Sequence, residues 1–272
     1  MMNIFRARQE SSAIGNLSLC MATHAIECIQ QKQQVLFHKD VLLYGRGECI
    51  DFINICDNDV PEQNGYGRIY GFVHLHFPYI GQVMKQIMKP SKKLEVYMDT
   101  LRPKLSKCVA AFHIRRGALS EDSFKFSSGH TFGSDTAVEA MIQEANKINE
   151  PVYILSDSES TKKIFLEKVP KAISLDLSIG FTTDEHTTND IQFKMNSLAE
   201  WFLLSEIPII YMTAGATNGR NVDSQVQEGL TTTFSYSAAL YGDKIPHYVF
   251  NDGYIFYPNG TNGPNHRYGW SG

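Results

Sequence analysis

Apolar positions recur at helical spacing near the start of the chain and in short blocks between helical stretches through its second half. Leu17, Cys20, Met21, His24, Ala25, Cys28 and Ile29 fall at i, i+3, i+4, i+7 and i+8 steps, which predicts an amphipathic helix over residues 16 to 32. Gly15-Asn16 stands at its mouth. Val35-Leu36-Phe37 predicts a short buried strand after this helix, and residues 2 to 5 a short strand before it. From Gly45 to Gly71 the density of Gly, Asn and Asp predicts mostly loop, with Ile50-Asp51-Phe52-Ile53-Asn54-Ile55 alternating as a half-buried strand does. Residues 79 to 88 and 91 to 105 predict helices. The second follows Pro90, takes Ser91 as N-cap and presents Leu94, Tyr97, Met98 and Leu101 on one face.

Strand and helix then alternate more clearly. Residues 108 to 114, 151 to 155, 172 to 177 and 208 to 212 predict strands, and residues 136 to 147, 160 to 168 and 196 to 205 predict the helices between them. Such alternation implies a parallel sheet covered on both faces. The organisation predicted is an N-terminal lobe over residues 1 to 105, a second lobe over 106 to 256, and a tail over 257 to 272. That tail is rich in Gly, Asn and Pro and has no helical period, so loop or partial disorder is expected.

Composition narrows the picture. The 272 residues are 43% hydrophobic and 20% charged, as in an ordinary folded protein, and suffice for one large core or two modest ones. The balance of 25 basic against 29 acidic residues, net −4, supplies no broad cationic surface for nucleic acid, so any phosphate binding must be local. The N-terminus has no uninterrupted apolar core of a signal peptide, and no stretch approaches 18 apolar residues. A cytoplasmic protein without a membrane span is expected. Cys20, Cys28, Cys49, Cys56 and Cys108 are odd in number and form no zinc-spaced pair, which fits a reduced compartment and buried, structural thiols. Asn259-Gly260-Thr261 fits a glycosylation acceptor, a tripeptide common by chance. No Cys, His and Asp residues cluster with plausible metal-ligand spacing, and neither metal nor cofactor is expected.

Ligands of an open parallel sheet bind beyond the carboxyl ends of its strands. The residues standing there are Arg115-Arg116-Gly117, Ser156-Asp157-Ser158 and Thr213-Ala214-Gly215, with Thr231-Thr232-Thr233-Phe234-Ser235 leading into a further helix. Arginine offers a rigid donor fork matched to phosphate oxygens, so Arg115 and Arg116 are candidates to hold a diphosphate and to stabilise charge on a leaving phosphate. A salt bridge from one and solvation of the other is the competing account. His113 either bonds a ligand or orients a loop. Asp157 either binds a ribose or base edge or caps the next helix. The segment Thr233-Phe234-Ser235 presents hydroxyls and free N–H groups at a helix start, suited to an anion or to a cap. For an acceptor base, His74 and His76 share a face if Phe72 to Phe77 is extended, packing being the alternative for each. Asp51 is the weaker candidate.

Gly15-Asn16, Pro90-Ser91, Phe112-His113-Ile114-Arg115-Arg116-Gly117, Tyr153-Ile154-Leu155-Ser156-Asp157 and Thr232-Thr233-Phe234-Ser235-Tyr236-Ser237-Ala238-Ala239-Leu240 occur in an order that resembles the fucosyltransferase superfamily. The α1,2-fucosyltransferases are most similar, the α1,6- and protein O-fucosyltransferases more loosely so. The resemblance implies an α/β GT-B fold, with two Rossmann-like lobes and a donor cleft between them. It also implies a metal-independent inverting transfer of fucose from GDP-fucose to a glycan hydroxyl. Carried over by position, Arg115 and Arg116 would hold the diphosphate, and His113, Ser156 and Asp157 would line the nucleotide site. Thr233, Phe234 and Ser235 would close it, with Gly15 and Asn16 facing it from the first lobe. Ala118 departs from the pattern, where an Asp often follows Arg-Arg-Gly, and the gap between residue 212 and Thr-Phe-Ser is long. A transferase using a UDP-sugar or another GDP-sugar, and a non-catalytic nucleotide- or glycan-binding protein of the same fold, stand as alternatives.

Overall fold

The computed structural model describes residues 4–6, 14–42, 46–58, 79–116, 133–177, 191–214 and 233–257. Its largest element is a six-stranded sheet built around β6 (Ala110–Ile114). To one side lie β7 (Val152–Ser156) and β8 (Ala172–Ile173), to the other β9 (Ile209–Thr213), β10 (His247–Val249) and β11 (Ile255–Phe256). All pairs are parallel except β10 with β11. The earliest strand therefore stands in the middle, and the order reverses between β6 and β9. In sheets of this kind the crevice at that reversal receives the ligand.

The apolar run at β6 is buried on both faces because the sheet is covered on both. Ala110, Phe112 and Ile114 join one cluster with helices α5 (Asp135–Lys147) and α6 (Glu159–Lys168). Within it Phe112 stacks on Tyr211 at 4.6 Å and packs on Phe165 at 5.4 Å. Ala111 faces the opposite side, where α7 (Ile191–Glu206) and α8 (Thr233–Tyr241) lie. There Trp201 is fully buried and its indole N–H donates to Ser237 Oγ at 2.9 Å, satisfying the one polar atom its ring carries.

The N-terminal residues form smaller sheets. β1 (Ile4–Phe5), β2 (Leu36–His38) and β4 (Ile55–Cys56) pair in parallel, and β3 (Ile50–Phe52) pairs antiparallel with β5 (Met88–Pro90). Around them pack α1 (Ile14–Gln30), a short α2 (Arg46–Cys49), α3 (Ile80–Ile87) and α4 (Lys92–Leu105). One apolar cluster runs from Phe5 through these helices to α7, α8 and Phe256. Helix α8 is its hub, touching α1, α3 and α7. Two glycines permit this: a Cβ on Gly15 would stand 2.5 Å from Thr233 C, and one on Gly81 would collide with Leu240 O. Helices α1 and α3 thus lean on opposite ends of α8.

Several predicted elements change in detail. Gly15-Asn16 belongs to the first turn of α1, which begins at Ile14, and does not form a loop before it. The single strand expected over residues 50 to 55 divides into β3 and β4, in different sheets, because Asn54 turns the chain at φ 54°. The strand expected over 172 to 177 stops at Ile173, short of Asp176, which adopts φ 52°. Strands β5, β10 and β11 were not predicted, being only two or three residues long. Ser91 caps α4 as expected, accepting from Leu94 N at 3.3 Å. Cys28, Cys49 and Cys108 are buried, and burial pushes each thiol up from its ordinary range.

Candidate functional site

The carboxyl ends of β6, β7 and β9 meet at the strand reversal, and the polar residues that follow them form one network. Arg115 leaves β6 with its backbone N–H donated to Thr213 Oγ1 at 3.1 Å, across the reversal to β9. Thr213 is completely buried. Arg116 donates its backbone N–H to Asp157 Oδ1 at 2.7 Å, across to β7. Ser156 Oγ donates to Ile114 O at 2.7 Å, closing the same seam one residue lower. Side chains thus extend the sheet ladder by one rung on each side of β6, which fixes the backbone of both arginines.

The two guanidinium groups have different surroundings. Arg116 donates from one terminal nitrogen to Gly133 O and from the other to Asp135 Oδ1, both at 2.6 Å, pulling the start of α5 over the strand ends. Asp135 is 94% exposed, so this ion pair sits at the rim. Arg115 places Nε 3.8 Å from Asp157 Oδ2, and burial, partly offset by that carboxylate, lowers its pKa. A guanidinium stays charged regardless, so Arg115 holds a fixed, largely desolvated positive charge at the crevice.

His113 lies on the α8 side of β6. Its Nδ1 is 2.9 Å from Ser235 Oγ and its ring is 5.5 Å from Phe234. Burial, reinforced by the Arg115 charge, drives its pKa down to about 3, so the imidazole is neutral at physiological pH. It can bond the hydroxyl without adding charge. Thr233 opens α8, and Gly15 packs against the Thr233 and Phe234 backbone, so the N-terminal turns of α1 and α8 meet beside His113. Asn16 is half-buried on that first turn of α1.

The capping alternative for Asp157 is excluded: Ser158 caps α6, accepting from Thr161 N at 3.2 Å. Asp157 instead serves Arg115 and Arg116. Gly15, His113, Arg115, Arg116, Ser156, Asp157, Thr233, Phe234 and Ser235 are linked through these contacts. His74, His76, Gly117 and Ala118 lie outside the described residues. Asp51 is exposed in β3, away from the network. Sequence reasoning missed Thr213 as a partner of Arg115, although a hydroxyl closing an apolar strand was its signal. Gly133, Asp135 and the Ser134–Asn251 pair, in which Ser134 N donates to Asn251 Oδ1 at 2.8 Å, carried no signal that would join them to it. Among the described residues no three His, Cys, Asp or Glu gather as a metal site would require. Among the same residues no helix is long and apolar enough to cross a membrane.

No protein-family model and no curated protein sequence matches the chain. Solved structures do. The fucosyltransferase NodZ from Bradyrhizobium superposes with a TM-score of 0.59 at 10% identity, over 94% of this chain and 98% of that one. NodZ α1,6-fucosyltransferase soaked with GDP-fucose gives 0.58 at 9% identity over the same shares. A variant of Arabidopsis thaliana FUT1 in complex with GDP gives 0.53 at 12% identity, over 91% of this chain and 70% of that one. The α/β fold of parallel sheets and packed helices is the one these fucosyltransferase structures share.

Proposed function

We propose that this chain is a GT-B-type glycosyltransferase of the fucosyltransferase superfamily, moving fucose from GDP-fucose to a glycan hydroxyl by an inverting, metal-independent reaction. The observation that carries the reading is the Arg115 guanidinium at the strand reversal, with its backbone tied to Thr213 and Asp157 alongside. Breaking a sugar–phosphate bond leaves charge on the departing diphosphate, and a fixed cation already in place stabilises that charge without reorganising. In this reading Arg115 supplies what a metal ion would otherwise supply. Arg116 shapes the rim through Gly133 and Asp135, while Asp157, Ser156 and His113 face the nucleotide and Thr233 to Ser235 close over it. NodZ and FUT1 structures of the same fold carry GDP-fucose or GDP, which favours a guanine nucleotide over a uridine one.

The resemblance to α1,2-transferases belongs to the same proposal, as does a cytoplasmic location. The NodZ neighbours are named as α1,6-enzymes, so the linkage is to be read from the product by methylation analysis. The first test is calorimetric titration with GDP and UDP, followed by turnover of GDP-fucose against a glycan array with and without EDTA. GDP binding, transfer and indifference to EDTA are expected. Preference for UDP removes the fucosyl assignment, and recovery of activity only on adding manganese removes the metal-independent one. Tight GDP binding without transfer to any acceptor identifies a non-catalytic binding protein.

A further inference from the structure

Gly133, Ser134 and Asp135 lead into α5, and each of the three is held from the carboxyl edge of the large sheet. Gly133 O and Asp135 Oδ1 accept from the two terminal nitrogens of Arg116, both at 2.6 Å. Between them Ser134 donates its backbone N–H to Asn251 Oδ1 at 2.8 Å and its hydroxyl to Asn251 O at 2.7 Å. Asn251 stands in the turn that joins β10 to β11. Gly253 closes that turn by donating its N–H to Phe250 O at 2.9 Å from a φ of 81°, a conformation that suits glycine. Arg116 and Asn251, far apart in sequence, therefore grip three consecutive residues.

The same grip presses Gly133 onto the strand reversal. Gly133 is buried, and a Cβ there would stand 2.8 Å from Thr213 Cγ2 and 3.0 Å from Arg115 O. Neither neighbour is free to give way. Arg115 O belongs to the backbone. Thr213 is completely buried, and its methyl and hydroxyl share one Cβ, so rotating Cγ2 aside also takes Oγ1 off the Arg115 N–H that it accepts at 3.1 Å.

The consequence falls on Arg115. A side chain leaves the backbone in a direction set by φ and ψ, which are fixed once the peptide planes on both sides of its Cα are fixed. At Arg115 the first plane is held by Ser156 Oγ on Ile114 O and by Thr213 Oγ1 on the Arg115 N–H. The second is held by Asp157 Oδ1 on the Arg116 N–H and, at Arg115 O, by the backbone of Gly133. Three of these four constraints are hydrogen bonds, and the fourth is the close approach of a residue with no side chain.

We propose that Gly133 is a positioning residue for transfer. Its missing Cβ lets the start of α5 close on Arg115 O and Thr213 and so fixes the direction of the Arg115 guanidinium, while Asn251 holds the start of α5 in place. The inference rests on the transferase reading above and deepens it by naming residues that act through Arg115. Binding of a diphosphate in the ground state tolerates a small turn of the guanidinium. Stabilising the departing phosphate does not, because that contact gains its strength only as the bond breaks and only in the aligned geometry.

The test compares wild type, Gly133→Ala, Thr213→Ser, the double variant and Asn251→Ala for kcat with GDP-fucose, for GDP affinity by calorimetry and for folding by circular dichroism. A misplacement of about 1 Å costs on the order of 100-fold in rate, so Gly133→Ala is expected to lose about that much kcat while GDP affinity changes little. Thr213→Ser removes Cγ2 and keeps the hydroxyl on the Arg115 N–H. In the double variant the new Cβ meets no methyl, so kcat is expected to recover to well above that of Gly133→Ala, and the two changes should not be additive. Asn251→Ala is expected to lower kcat by a smaller factor, since Arg116 still holds Gly133 and Asp135. A folded Gly133→Ala protein with near-normal kcat overturns the assignment and leaves the transferase standing. So does a loss of GDP affinity as large as the loss of kcat, or a double variant no faster than Gly133→Ala alone. Wild type inert toward every donor overturns both. Should Gly133→Ala fail to fold, an unchanged kcat in Asn251→Ala overturns the assignment on its own.

Discussion

The two carboxyl edges of this molecule are built by different means. At the large sheet, β6, β7 and β9 each run five residues, and their ladder is continued past its end by Thr213, Ser156 and Asp157. At the small sheet, β1, β2 and β4 run two, three and two residues, and the edge is held by Arg6, Asp40 and His38 side chains. A backbone ladder fixes position cheaply because its groups must bond somewhere, whereas side chains must lose rotamer freedom to do the same work. The contrast suits the proposed function, in which the large sheet would have to fix a diphosphate in one place.

The largest expected effect tests that role of the large sheet. Arg115→Lys keeps the charge and loses the planar fork, and removing one such donor typically costs on the order of 100- to 1000-fold in rate. Turnover should fall further than GDP affinity, because the contact strengthens as the leaving group gains charge. Circular dichroism should remain native. Arg116→Lys should fall less, since its fork already serves Gly133 O and Asp135. Near-normal rates in both variants would make the strand-end arginines structural and remove the large sheet's chemical role.

The same contrast explains what could be read from sequence. The apolar runs at β6, β7 and β9 are long enough to be seen as strands, so the residues after them, Arg115, Arg116, Ser156 and Asp157, were recognisable as site candidates. Strands of two or three residues have no period to detect. His38, one position past Val35-Leu36-Phe37, therefore carried no signal, and its neighbours Arg6 and Asp40 stand 32 and two positions away, joined only by folding. Asp157 was ambiguous for another reason: Asp and Ser both cap helices, and only coordinates show that Ser158 took the cap. The glycine at position 15 was visible, but the Thr233 backbone it admits lies more than 200 residues on.

Acid and base should separate the two regions next. Beneath the large sheet Glu200 accepts from Tyr153 at 2.8 Å, and burial, against the opposing effects of that bond and Lys162, raises its pKa from 4.5 to about 7. Because the folded value lies above the unfolded one, the folded protein holds a proton that the unfolded chain has released. Stability therefore falls as pH rises from about 4.5 to about 7 and stays lower above that range. Glu200→Gln should be more stable than wild type at pH 8 by on the order of 1–3 kcal/mol, and the two should converge near pH 4, as denaturant titrations will show. Asp57 at the small sheet has the opposite sign. Its pKa is lowered by its bond to Lys39, so whatever it contributes is lost as pH falls. Equal urea midpoints for wild type and Glu200→Gln at pH 8 would mean that Glu200 is solvated and ordinary.

The smallest effect concerns the seam between the two edges, and competing magnitudes decide its sign. Alanine favours a helix interior over glycine by roughly 1 kcal/mol, so Gly15→Ala would stabilise an isolated α1. Here its Cβ would stand 2.5 Å from Thr233 C and 2.6 Å from Phe234 N and Thr233 O, which are backbone atoms that cannot rotate aside. Overpacking of that kind costs roughly 1–3 kcal/mol, so the net change should be a destabilisation of about 1 kcal/mol, a shift in Tm of roughly 2–4 °C. Relief requires α1 to move away from the start of α8, where Ser235 meets His113, so GDP affinity should fall as well. Gly81→Ala is the control. Its Cβ would strike Leu240 O at the far end of α8, so it should cost comparable stability while leaving GDP affinity alone. Equal losses of affinity in both variants would show that α8 transmits strain along its whole length, and that the contact at Gly15 has no special claim on the site.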